Sequence, residues 1–250
     1  MLPRILPPLI LVACLLAGWE VYCRLKDVSP LILPAPSGVI RALVLNRVEI
    51  SGHALSTISV AALGFSLSVG FAFLVSVMLH FLPWAEKGLL PLFVASQTVP
   101  LVALAPLMIL WFGFGLLPKV LLVILVTFFP MLLSLLSGYR QVPGAFVDLL
   151  SSMGAGQWFV FRRAVLPSAR SSFLAGLRIS ATYAIVATIF AEYAGARRGL
   201  GIYILAAKNN FRADLVLAAV VVSAGLTLVL LGMIRLGDRL TARGSEVRHA

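Results

Sequence analysis

The chain has 250 residues, of which 61% are hydrophobic and only 12% are charged. A soluble domain typically carries about 25% charged residues, so the composition excludes a soluble globular protein and favours one solvated by lipid. The formal net charge is +11, but the basic residues are spread through the segments between apolar runs. This distribution excludes a nucleic-acid-binding face, which would cluster them, and it is typical of loops at a cytoplasmic membrane surface.

Residue types that could carry catalysis or bind a metal are scattered along the chain. Cys14 and Cys23 are nine residues apart, about 13 Å along one helix, which is too far for a disulfide within that helix. The three histidines lack metal-ligand spacing, and the sequence contains no Gly-Lys dipeptide and no His-Glu-x-x-His motif. We therefore expect no catalytic residue, no metal site and no cofactor on this chain.

The first apolar segments predict two membrane-spanning helices separated by a polar segment. The run Ile5 to Tyr22 is interpreted as an uncleaved first span, and Ser37 is expected to cap a short helix over residues 38–46. The 28 residues from Ala54 to Phe81 carry no formal charge and are long enough to cross a bilayer. Small residues at four-residue spacing predict that this second span packs centrally, on two stripes: Ala62, Ser66 and Gly70, and Ser68, Ala72 and Ser76.

The third predicted span, residues 88–118, is interrupted by prolines. Pro91, Pro100 and Pro106 each remove a backbone donor, which is tolerated at membrane depth only beside protein or a water-filled cavity. Two interpretations stay open: a kinked structural helix, and a helix that lines a translocation path. In the second interpretation Gln97, Thr98 and Pro100 are candidates for the path.

Three further spans complete an all-α protein of six transmembrane helices. They are predicted at Val120 to Tyr139, at Phe173 to Ala194, and between Asp214 and Arg235, followed by a polar tail. Near the end of the fifth span, Glu192 has two interpretations. It reaches the interface beside Arg197 or Arg198, or it faces the interior and helps to gate or line the path, as intramembrane acids usually do. We favour the second interpretation.

The segment from Phe146 to Pro167, between the fourth and fifth spans, contains a pattern of its own. Its apolar residues recur with the i, i+3, i+4, i+7 spacing of one helical face, at Phe146, Leu149, Leu150 and Met153. Gly154 follows, and a second short helix is predicted from Gln157 to Val165, with Arg162 and Arg163 beside it. The segment therefore predicts two short helices bent at a glycine, a shape that another protein could hold.

The spacing of this segment resembles the cytoplasmic "EAA" loop of ABC-importer permeases. Asp148-Leu149-Leu150 stands where the family has Glu-Ala-Ala, and Gly154 and Leu166-Pro167 follow at the family's spacing. Other segments are similar to further parts of the family: Val99-Pro100-Leu101, Trp111 to Gly115, Gly176 to Ile179, Gly199-Leu200-Gly201 and Phe211 to Leu215. The chain most resembles the branch that imports nitrate, alkylsulfonates, taurine or thiamine-pyrimidine precursors.

The resemblance implies a type I ABC-importer permease fold in a bacterial inner membrane. It implies residues 1–53 as a first helix with an external segment, 54–240 as the permease core, 140–172 as a cytoplasmic coupling loop, and 241–250 as a cytoplasmic tail. With six spans, eleven of the twenty basic residues lie on the loop side, so the positive-inside preference supports this orientation only slightly.

The resemblance also implies partners. They are a second copy of the permease, an ATPase subunit that binds the ATP, and a periplasmic or lipid-anchored substrate-binding protein. The ATPase is expected to contact the coupling loop at Asp148, Leu149, Leu150, Gly154, Arg162, Arg163, Leu166 and Pro167. The alternative is a stand-alone secondary transporter or channel, which inverted repeats would support, although the two halves show no convincing similarity. An intramembrane enzyme would need a nucleophile–base or metal set.

Overall fold

The computed structural model describes the backbone of residues 2–246 and the side chains of residues 6–240. Within this range the chain is entirely helical apart from turns and loops. The helices are α1 (Leu2–Leu25), α2 (Pro36–Leu45), α3 (Arg47–Phe81), α4 (Pro83–Ser96), α5 (Leu101–Phe112), α6 (Leu116–Tyr139), α7 (Gly144–Ser152), α8 (Gln157–Val160), a π-helical turn (Phe161–Val165), α9 (Leu166–Ser168), α10 (Arg170–Tyr193), α11 (Leu200–Asn209) and α12 (Ala213–Glu246).

Five helices of the described range are long and apolar enough to cross a membrane: α1, α3, α6, α10 and α12. The bent pair α4 and α5 makes a sixth span if its two helices count as one. Each long helix has at least 20 residues in its apolar stretch, and about 20 are needed to cross the hydrocarbon core. The predicted all-α architecture with six spans is confirmed.

The centre of the bundle is built from α3, α6 and α10, which approach closely because glycines lie at their contacts. A Cβ added to Gly64 of α3 would lie 2.7 Å from Val123 of α6, and one added to Gly176 of α10 would lie 2.5 Å from Ser134. Of the two predicted small-residue stripes on α3, one is fully buried, at Ser68, Ala72 and Ser76. The other stripe, at Ala62, Ser66 and Gly70, is exposed, so α3 packs centrally, as predicted, through one of its two stripes.

The third span differs from the sequence expectation of one kinked helix. The axes of α4 and α5 differ by 101° across a break at residues 97–100. Pro100 has extended backbone dihedrals and is the residue that precedes α5. Proline removes a donor and disfavours helical geometry in the residue before it, which explains why the break falls here rather than at Pro91 or Pro106.

Near the N-terminus, the starts of two helices differ from the sequence predictions. Helix α2 begins at Pro36, and Ser37 does not cap it. Instead the Ser37 amide and hydroxyl donate to the Glu20 carboxylate at 3.0 and 2.8 Å, because a charged acceptor on α1 lies within reach. Helix α3 begins at Arg47, so the boundary expected after residue 53 falls inside a helix.

The polar tail expected from Leu236 is helical instead, because α12 continues to Glu246. The Asp238 carboxylate on this extension lies 3.4 Å from a guanidinium nitrogen of Arg170 and 3.2 Å from a guanidinium nitrogen of Arg178. These contacts join the end of α12 to the start of α10 and favour continued helix where the hydrophobic run has ended. The last part of the predicted tail, residues 247–250, lies outside the described residues.

Candidate functional site

The segment between α6 and α10 is bent at Gly154. Helix α7 ends in a Schellman motif, in which the amide of Gly154 donates to Ser151 and the amide of Ala155 donates to Leu150, at 3.0 and 3.1 Å. Gly154 has a φ of +84°, a conformation that glycine adopts without the steric cost of a Cβ. The predicted bend between two short helices is confirmed.

Beyond the bend, the chain returns to the membrane helices through an aromatic cluster. We define this cluster as His80, Phe81, Tyr139, Trp158 and Phe161. The Phe161 ring is almost completely buried, with its centroid 4.9 Å from that of His80, 5.3 Å from Phe81 and 5.4 Å from Tyr139. Aromatic pairs at these distances add to the free energy of burial. The cluster therefore packs the second half of the loop against the ends of α3 and α6.

The first half of the loop presents an apolar surface outward. All nine residues of α7 are at least partly exposed, and Phe146, Leu149 and Met153 are 48%, 54% and 76% exposed. These residues lie on the predicted apolar face, which does not pack on the bundle except through Leu150. Exposed apolar clusters of this kind mark contact surfaces for another protein or for the membrane. We call Phe146, Leu149 and Met153 the docking face.

The other loop residues predicted to contact a partner lie on either side of the bend. Asp148, Arg162, Arg163 and Pro167 are exposed and Leu166 is half-buried. Asp148 is the fifth residue of α7, not part of its first turn, because the helix begins at Gly144. Its carboxylate therefore lies beyond the first turn, within which the positive end of the helix dipole would stabilise it.

Glu192 lies inside the protein rather than at an opening. Its side chain is fully buried. Its carboxyl oxygens lie 2.9 and 3.1 Å from the Thr57 hydroxyl, and one accepts the Gly201 amide at 2.8 Å. The Thr57 hydroxyl in turn accepts the Leu200 amide at 2.8 Å. Glu192 therefore faces the interior, where the start of α11 folds over it, and does not reach the interface beside Arg197 or Arg198. Its role in gating or lining the path stays a prediction.

The remaining path candidates lie in the break between α4 and α5. Gln97, Thr98 and Pro100 are exposed, and the Thr98 hydroxyl donates to the Ala95 carbonyl at 2.8 Å. They are therefore accessible, as a path requires. Among the described side chains no hydrogen bond joins them to Glu192, and their place on a path stays a prediction.

Sequence reasoning missed the residues that hold the two ends of α10. At one end, the Asp238 carboxylate forms ion pairs with Arg170 and Arg178. Near the other end, Nδ1 of His53 on α3 lies 2.9 Å from the Gly199 carbonyl oxygen and 3.0 Å from its amide nitrogen. Arg170 and Arg178 are about two helical turns apart on α10, a spacing that places both near one partner. His53 had no comparable signal, because its partner lies 146 residues away.

Comparison with known proteins identifies transport proteins of one family. The family model described as a binding-protein-dependent transport system inner membrane component matches residues 64–243. The formylaminopyrimidine transport permease protein of Halalkalibacterium halodurans is 33% identical over 199 residues, 79% of this chain and 79% of that protein. The taurine transport system permease protein of Escherichia coli K12 is 32% identical over 248 residues, 94% of this chain and 89% of that protein.

A solved structure shows the same fold. A chain of the MetNI methionine ABC transporter, in inward-facing conformations, matches with a TM-score of 0.58 at 12% sequence identity. The match covers 74% of this chain and 95% of that chain. The matched region therefore extends over most of the helical bundle described above.

Proposed function

Because the chain belongs to the family of binding-protein-dependent transport system inner membrane components, as an ABC-importer permease, we propose that ATP hydrolysis on a separate subunit drives it. The permease then spans a bacterial inner membrane and forms the translocation path for a small solute. A periplasmic or lipid-anchored binding protein delivers that solute, and two copies of the permease enclose the path. Family membership supports this role over a stand-alone transporter or channel.

The observation that carries this proposal is the docking face on α7. An apolar surface at the end of a membrane bundle, bent at Gly154 and flanked by Asp148, Arg162 and Arg163, suits a groove on an ATPase subunit. The aromatic cluster joins the same loop to α3 and α6. When two ATPases close on ATP, each would move its loop, and this cluster would carry the movement into the spans.

The solutes proposed from this branch are sulfonates, taurine, nitrate and thiamine-pyrimidine precursors. Two of these classes agree with the names of two relatives, the taurine permease and the formylaminopyrimidine permease. The described interior surfaces are mostly apolar, and selection among solutes would begin at the binding protein.

Loss of the docking face is expected to release the ATPase subunit. Leu149→Ser removes an exposed apolar side chain that would be buried in the complex, where a leucine contributes about 1.5–3 kcal/mol. Asp148→Asn removes a possible ion pair worth about 0.2–1 kcal/mol. We therefore expect retention of the co-expressed ATPase on the tagged permease to fall at least tenfold for Leu149→Ser and less for Asp148→Asn.

The control for this experiment is Glu49→Gln, which removes an exposed acid in the first turn of α3, away from the loop. It should leave ATPase retention unchanged. Both loop variants should keep the wild-type melting temperature, because Asp148 and Leu149 are exposed. Full ATPase retention by Leu149→Ser would contradict the proposed contact.

The orientation can be tested with single cysteines in a chain whose Cys14 and Cys23 are replaced by alanine. Ser151→Cys on α7 should react with a membrane-impermeant thiol reagent only after the inner membrane is opened. Lys208→Cys on α11 should react when the outer barrier alone is permeabilised, since both positions are exposed but lie on opposite faces. The reverse pattern would place the docking face outside the cell and contradict the contact with an ATPase.

A further inference from the structure

On the face of the bundle opposite the coupling loop, the structure contains a cavity of about 700 Å³. Its walls come from the third and fourth turns of α3, from the connection between α5 and α6 with the first turn of α6, and from the connection between α10 and α11. Ser56 and Ser59 of α3 line it, whereas the other end of α3, at Phe81, contacts the aromatic cluster of the loop. The cavity therefore opens where a solute delivered from outside would arrive.

The wall of this cavity is strongly cationic. Lys119, Arg197 and Arg198 line it, and the described lining residues include no carboxylate. In the part of the chain whose side chains are described, none of the three cations forms an ion pair. The nearby carboxyl group of Glu192 is fully buried and already binds Thr57 and Gly201. Three positive charges thus line one cavity. The charge of Lys119 is partly compensated by its coulombic interaction with the buried Glu192 carboxyl group, which does not lie on the cavity surface.

The backbone that carries the two arginines is held at both ends. At one end, the Ala196 amide donates to the Glu192 carbonyl at 3.1 Å, and Gly195 has a φ of +131° with Phe114 packed where a Cβ would lie. At the other end, the Arg198 carbonyl accepts the Ser56 hydroxyl at 3.3 Å. Because this backbone is fixed, binding of a solute would have to order the two arginine side chains but not the backbone that carries them.

We propose that this cavity is an oxyanion site that receives the sulfonate group, or a comparable oxyanion, of the solute as it enters the permease. Guanidinium groups bind such planar or tetrahedral oxyanions through two parallel charge-assisted hydrogen bonds. Clustered charge in a cleft also raises the local concentration of a counter-ion by about 10- to 1,000-fold. The inference rests on the proposed transport function, and within that function it selects anionic solutes such as sulfonates over uncharged pyrimidine precursors.

The charge of the cavity can be measured with two thiol reagents in the cysteine-free background carrying Ser59→Cys, since Ser59 is exposed. The permease is placed in phosphatidylcholine nanodiscs and labelled with 2-sulfonatoethyl methanethiosulfonate or with its trimethylammonium counterpart. Each rate is normalised to that of a small free thiol. We expect the sulfonate reagent to be favoured at least tenfold.

Neutralising the cavity should remove this preference. Replacing Lys119, Arg197 and Arg198 with glutamine should bring the normalised ratio close to one, and Arg197→Gln with Arg198→Gln alone should lower it partway. The control Lys208→Gln removes an exposed cation on the same face that does not line the cavity, and it should leave the ratio unchanged. A preference that survives the triple substitution in a protein of unchanged elution volume would overturn the proposal.

A second arm separates a small solute from a lipid headgroup. Ethanesulfonate should slow labelling of Ser59→Cys at least threefold in phosphatidylcholine nanodiscs. If only phosphatidylglycerol in the nanodisc protects the cysteine, the cavity binds lipid and the solute site is refuted. Because labelling needs no ATPase, a negative result here is distinguishable from failure of the transport function, which the Leu149→Ser retention experiment tests separately.

Discussion

Replacing Gly154 with valine is expected to reduce solute uptake at least tenfold while the permease remains inserted and folded. The φ of Gly154 is +84°, a region where a β-branched residue is a strong outlier, with a steric cost of about 1–2 kcal/mol. An added Cβ would meet no atom within 4 Å, so the effect arises from the backbone alone. The loop would relieve the strain by opening the Schellman motif, which would misdirect the docking face.

Gly156 provides a matched control for this variant. It is also exposed and has open space around its Cβ direction, but its φ is −67°, so Gly156→Val should keep most uptake. Gly154→Asn should retain more uptake than Gly154→Val, because asparagine tolerates positive φ. Uptake and ATP hydrolysis would be measured in proteoliposomes containing the ATPase and binding protein. Equal uptake by Gly154→Val and Gly156→Val would show that the bend is not needed for coupling.

Removing the Glu192 side chain is expected to cause a large loss of stability. In Glu192→Ala the buried amide of Gly201 loses its acceptor and a cavity is left beside it, while the Thr57 hydroxyl keeps its contact with the His53 carbonyl at 3.2 Å. A buried polar group without a partner costs about 1–3 kcal/mol, so a loss of about 3 kcal/mol is expected. In a chain of this size that lowers the melting temperature by about 6–12 °C, measured on the purified permease in detergent.

Glu86 provides a matched control for Glu192. Its carboxylate pairs with Arg140 on the surface, where an ion pair contributes at most about 1 kcal/mol, so Glu86→Gln should shift the melting temperature by only a few degrees. Gly199→Ala tests the same buried cluster independently, because an added Cβ would overlap the Glu192 carboxyl group. The double variant Gly199→Ala with Glu192→Ala should lose less than the sum of the two. A melting temperature of Glu192→Ala equal to that of Glu86→Gln would contradict a stabilising role.

Several features of this protein followed from the sequence by itself. The number of spans could be predicted because the length of an uncharged apolar run is compared directly with the thickness of the bilayer. The bend at Gly154 could be predicted because a helical stop depends on the residues immediately around it. The apolar face of the loop followed from helical periodicity, since Leu149 on α7 and Met153, the residue that caps it, lie one turn apart.

Only the tertiary structure decided which predicted features meet. Glu192 binds Thr57, which is 135 residues away, and no local pattern could distinguish that buried position from one facing a path. The choice between the two small-residue stripes of α3 also depended on where α6 packs, because both stripes have the same spacing. Likewise, Lys119 lies in the first turn of α6, whereas Arg197 and Arg198 lie in the connection between α10 and α11, about 80 residues later in the chain. Local sequence determines helices and their ends, whereas the burial of a side chain depends on distant helices that pack against it.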